Sequence, residues 1–134
     1  MKYSDLDKKL QEAIEKAENI AIENIKEHQS FMPFILHGEK MNKVKKIVSK
    51  NIDEIIDIAE EEIAEMEDSD IVILIYQDII RLNDGDVNSI VSQVYGFEED
   101  SGYSFGLGYR IGKDKIQFLN KRVFLGEIRN FLMF

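Results

Sequence analysis

The chain has 134 residues, 44% of them apolar and 32% charged, with a net charge of −9 and no cysteine. That length and balance describe one folded domain that can bury a core without disulfides or metal, and they exclude thiolate chemistry of any kind. The charge is uneven: residues 1–70 carry −8 and residues 71–134 carry −1, so direct nucleic-acid binding, which needs a basic footprint, is not expected.

The start of the chain has no apolar core of a signal peptide, and no apolar run approaches the ~20 residues that span a bilayer. A cytoplasmic protein with no membrane association is the expectation. A single domain over residues 1–134 follows, because no linker or repeat divides it.

Residues 4–28 read as an amphipathic helix. Ser4 serves as N-cap, and Leu6, Leu10, Ala13, Ile14, Ala17, Ala21 and Ile25 recur at three- and four-residue steps. Pro33 closes the helical segment, and residues 31–48 form a β-hairpin that turns at His37-Gly38-Glu39-Lys40, where glycine supplies a positive φ. Neither His28 nor His37 stands at a metal-ligand spacing, so both are ordinary surface or turn residues.

Residues 51–67 form a second helix, capped by Asn51, with Ile52, Ile55, Ile56, Ala59, Ile63 and Met66 as its apolar stripe. The stretch from Asn51 to Asp70 holds ten acids and no base. Asp53/Asp57, Asp57/Glu61 and Glu61/Glu65 are like-charge neighbours on one face, and the last-turn acids oppose the helix dipole. Such a face accepts an electrostatic penalty to present a single sign.

From residue 71 to 134 the chain reads as a meander of strands. Ile71 to Leu82 is apolar on both faces in its first half, the mark of a central strand covered on both sides, or on one side plus an edge contact. Asn83-Asp84-Gly85-Asp86 makes a tight turn whose Asp-Gly pair suits type I′. Asp84, Asp86 and Asn88 do not continue into a calcium loop, since Ser89 and Tyr95 stand where glycine and glutamate are needed.

Glu98, Glu99 and Asp100 form a second acidic connection. Tyr103, Phe105, Leu107, Tyr109 and Ile111 then alternate with Ser104, Gly106, Gly108, Arg110 and Gly112. Glycines on one face of a strand signal close approach by a helix or a ligand. The apolar end, residues 126–134, is expected to dock in the core or at a dimer interface, in a conformation that the pattern does not assign.

The expected fold is α+β: an antiparallel meander sheet of about five to six strands with two amphipathic helices packed on one face. No catalytic set, metal cluster or cofactor fingerprint is present, so the reading leans away from an enzyme. The expected function is binding of a basic protein partner, in the manner of an inhibitor or immunity-type antidote. Asp53, Glu54, Asp57, Glu60, Glu61 and Glu65 would form the docking surface, extended by Glu98, Glu99 and Asp100. A small-molecule pocket beside the glycine-lined strand, built from Asp78, Ser104, Tyr109 and Arg110, is the alternative. A structural homodimer through the apolar C-terminus or an exposed sheet edge is a further one.

Overall fold

The structure is a computed structural model that describes residues 1–67 and 69–132, with only the backbone of Asn120. After a 3-10 turn at Tyr3–Asp5 come α1 (Lys8–His28), β1 (Phe34–His37), β2 (Lys43–Lys46) and α2 (Ile52–Ala64). Four long strands complete the chain: β3 (Ile71–Leu82), β4 (Gly85–Gly96), β5 (Gly102–Ile111) and β6 (Ile116–Ile128). All six strands join one sheet in the order β2-β1-β3-β4-β5-β6, and every neighbouring pair is antiparallel. The α+β class and the meander are thus as the sequence reads.

The helices, however, lie on opposite faces of the sheet. Leu10, Ala13, Ile14, Ala17, Ala21 and Ile25 of α1 pack with Phe34, Leu36, Ile73, Ile75, Ile90, Val94 and Phe105. Ile55, Ala59 and Ile63 of α2 pack with Ile35, Val72, Leu74, Tyr76, Val91 and Tyr95. Successive strand residues face opposite ways, so a β3 that is apolar on both faces demands cover on both. That demand was visible in Ile71–Tyr76, and one helix per face meets it.

Local boundaries shift for identifiable reasons. Helix α1 starts at Lys8, not at residue 4, because residues 3–5 close as a 3-10 turn in which Asp5 accepts a hydrogen bond from the Lys2 N–H. Its end is set by Gln29 in the left-handed region, at φ 62°. Helix α2 has the expected cap, with Asn51 Oδ1 accepting from the Glu54 N–H at 3.1 Å, but it ends at Ala64 rather than residue 67. The first hairpin turns at Gly38, φ +99°. Between β3 and β4 only Gly85 has a positive φ, so that turn is not type I′, which requires positive φ at both central residues.

The C-terminal segment folds back onto the α2 face. Phe131 stacks on Tyr95 with ring centroids 4.9 Å apart, and Leu132 is buried beside it. The buried Asn130 side chain donates to the carbonyls of Gly96 and Glu99, and its own oxygen accepts from the Leu132 N–H. Docking in the core is therefore established for residues 131 and 132; Met133 and Phe134 lie outside the described residues.

Candidate functional site

Helix α2 sorts its charges by face. Its buried stripe Ile55, Ala59 and Ile63 fixes the helix on the sheet, and two acids flanking that stripe are neutralised within the chain. Glu60 pairs with Arg129, and Glu62 pairs with Lys45 of β2. Asp53, Glu54, Asp57, Glu61 and Glu65 point outward, exposed, and none has an ion pair among the described residues. Residues four apart rise ~6 Å along a helix, so Asp53, Asp57, Glu61 and Glu65 form a single carboxylate row with Glu54 beside it.

That row opposes local stability. Three like-charge i,i+4 neighbours cost on the order of 1 kcal/mol together, and the last turn of α2 contains no base to meet the helix dipole. Only Asp53 and Glu54, in the first turn, sit where the dipole favours them.

Glu98, Glu99 and Asp100 lie in the β4–β5 connection, at the end of the sheet where Ile71 pairs with Gly96. Helix α2 also points its C-terminal end there, since the chain passes from Ala64 to Ile71 through one short segment. Asn130 holds this loop by its two carbonyl contacts. The phenol of Tyr103 is pushed up, first by burial and then by the charges of Glu99, Glu127 and Asp100. Phe97 stands exposed beside the three acids.

The four residues of the alternative pocket are not brought together. Tyr109 lies on the α1 face, where its hydroxyl accepts from Gln77 Nε2 at 2.6 Å. Ser104 lies on the other face, paired with Gln93, and Asp78 pairs with Ser89, which faces Gly108 rather than Ser104. Four residues along a strand separate them by ~13 Å. Arg110 is exposed and bonds to Asp84 at 3.3 Å, not to Asp78.

Nor does the glycine face leave room for a ligand. A methyl at Gly108 would lie 2.8 Å from Leu119 Cδ1 and 3.2 Å from Val87 Cγ2. At Gly106 it would meet Leu125 and Ile80, and at Gly102 it would meet Ile128 and Tyr95. The close approach that the glycines signalled is made by side chains of neighbouring strands rather than by a helix.

One constellation escaped the sequence reading. Glu18 is buried under α1, with only 3% of its side chain exposed, and takes a bidentate grip from Arg122 of β6 at 2.6, 2.9 and 3.0 Å. The Arg122 guanidinium lies 4.5 Å from the ring centre of Tyr3, whose hydroxyl bonds to Glu15 and to the Gln11 carbonyl. Burial pushes the Glu18 carboxyl up and the guanidinium opposes it, while Glu18 holds Arg122 above its ordinary value. The signal was available: Glu18 stands four residues after Ile14 and three before Ala21, squarely on the apolar stripe.

Among the described residues, no group of three or more His, Cys, Asp or Glu is placed to hold a metal ion, and no helix is long and apolar enough to cross a membrane. The chain matches no protein-family model, no curated protein and no solved structure.

Proposed function

We propose that this protein is a cytoplasmic binding module that docks a basic protein partner on the outer face of α2, in the manner of an inhibitor or immunity-type antidote. The observation that carries this reading is the division of charge on one helix. Glu60 and Glu62 are paired inside the chain, while the five outward acids have no ion pair among the described residues and repel one another. A chain selected for stability alone gains by placing Lys or Arg at such positions. A face kept acidic against that gain suits a partner that supplies the cations.

The row is also held in place, because the buried stripe Ile55, Ala59 and Ile63 seats α2 on the sheet. Preorganisation of this kind reduces the ordering cost of association. Complementary charge would speed encounter with a basic surface and disfavour acidic ones. The loop from Glu98 to Asp100 extends the negative field at the C-terminal end of the helix.

The test is capture of partners from the host lysate at low and high salt, with the variant E54K/D57K/E61K/E65K as control. A basic protein retained by the wild type at low salt, released by high salt and ignored by the variant is the expected result. Equal retention by both proteins, or none by either, would remove the proposal.

A further inference from the structure

Strand β1 covers only part of its neighbour. The pairs from Leu36↔Ile73 to Phe34↔Ile75 are all that join them, while β3 runs on to Leu82 with β4 alone beside it. In an antiparallel ladder alternate residues turn their N–H and C=O to the same partner strand. The Phe97 N–H donates to the Asp70 carbonyl at 2.8 Å, in register with the β3–β4 pairs. Even-numbered residues of β3 therefore bond β4, and Gln77, Ile79 and Arg81 direct their backbone groups to the uncovered side.

Two contacts show this edge managed without a strand. The Phe31 N–H, just before β1, donates to the side chain of Gln77 at 3.1 Å. The Ile79 N–H is taken by the carboxylate of Asp78 at 2.7 Å. Beside the edge opens a groove of about 620 Å³ lined by Phe31, Met32, Val48, Lys50, Ile52 and Gln77, among others. Met32 is 48% and Val48 82% exposed, and Lys50 is the one charged residue among the described residues that line the groove.

We propose that this edge accepts an extended segment of a partner protein as a seventh strand. The segment would pair its backbone with Gln77, Ile79 and Arg81, seat alternate apolar side chains in the groove, and place an acidic residue opposite Lys50. Main-chain bonds supply affinity in such strand addition, and the pockets for alternate side chains supply choice. Asp78 acts as a gate, because an incoming carbonyl must replace its carboxylate at the Ile79 N–H. The β2 edge, on the same side of the sheet, is closed to this mode by its own lysines: Lys43, Lys45 and Lys46 are all exposed there.

The experiment selects binders for the intact protein from a phage-displayed library of random heptapeptides, then titrates synthetic copies into isotope-labelled protein. Enriched peptides are expected to alternate apolar residues and to carry an Asp or Glu. The Ile79 and Arg81 amides should become protected from exchange on binding. N-methylation of alternate peptide amides, or Val48→Glu, should weaken binding by about tenfold or more. Asp78→Ala should tighten it several-fold, whereas Asp78→Asn, which keeps the acceptor and loses the charge, should not.

The variant E54K/D57K/E61K/E65K should bind these peptides as the wild type does, which separates this site from the acidic face of α2. Absence of enrichment, protection confined to residues 53–65, binding indifferent to Val48→Glu, or self-association of the protein through this edge would each overturn the proposal.

Discussion

Replacing Arg122 by Met keeps a long apolar stem against Tyr3 but strips the buried Glu18 carboxylate of its partner. Three contacts of 2.6 to 3.0 Å are lost, and breaking a buried pair in this way costs about 3–5 kcal/mol. The structure sets a ceiling, because an orphaned carboxylate can take up a proton instead. From the ordinary glutamate value of 4.5 to pH 7, at about 1.4 kcal/mol per unit, protonation costs about 3.5 kcal/mol. At pH 5 the same step costs about 0.7 kcal/mol.

The sign follows from linkage. In the variant the folded-state carboxyl of Glu18 is raised above its unfolded value, so its contribution is favourable at low pH and is lost as pH rises through the folded value. Urea unfolding of wild type and Arg122→Met at pH 7 and pH 5 should therefore show a deficit of about 3 kcal/mol that shrinks to about 1 kcal/mol. The double variant Glu18→Met with Arg122→Met should recover most of the loss, since a matched apolar pair leaves no charge uncompensated. A deficit below about 1 kcal/mol at pH 7, or one that does not change with pH, would refute the argument.

Three further outcomes are expected. Gly102→Ala should destabilise by about 1–3 kcal/mol, because the added methyl would stand 2.9 Å from the ring of the fully buried Tyr95 and from Ile128 Cγ1; thermal melting reads it, and a neutral result would refute the close packing of β5 against Tyr95. Burial raises the phenols of Tyr76 and Tyr95, so both contribute stability fully below pH 10 and lose it as pH rises. Above that pH the unfolded chain ionises first, and the loss should be about 1.4 kcal/mol per pH unit for each; phenolate absorbance that titrates normally in the folded protein would contradict this. Glu61→Lys with Glu65→Lys should raise stability by about 0.5–1 kcal/mol in urea unfolding at low salt, with the gain fading at high salt.

The class, the bounds of β3 and the cap at Asn51 were legible because each rests on local chemistry: alternation, turn residues and an N-cap side chain; the end of β6 at Ile128 was not, since the apolar end, residues 126–134, does not alternate. The placement of α2 was a different kind of question. Its stripe says that it packs, not on which face, and the deciding clue lay in other elements, in the two-sided burial of Phe34, Ile35 and Leu36 and of Ile71 to Tyr76. Glu18 was passed over because a charged residue on a helical stripe looks like a break in the pattern. Its partner lies 104 residues away, and no local rule reaches that far. Glycines 106 and 108 did report close approach, but a strand that curls against Leu119 and Leu125 uses the same residue as a strand that admits a ligand.

The acidic row on α2 gains meaning from what surrounds it. Lys45 and Arg129 show that cations can be placed at this helix from β2 and from the C-terminal segment, and they are placed on Glu62 and Glu60. The outward acids are therefore not a region that the fold leaves beyond the reach of basic residues; among the described residues they are the acids that form no ion pair with Lys45 or Arg129. Acidity for solubility alone is met anywhere on the surface, and the charge of residues 71–134 is nearly balanced while residues 1–70 carry the excess. Concentrating that excess on a helix whose dipole disfavours it at one end costs stability that a dispersed arrangement would keep. The expected stabilisation by Glu61→Lys and Glu65→Lys, together with loss of the captured partner, is the pair of results that a docking surface produces. Stabilisation without any loss of binding would make the row a solvated face and nothing more.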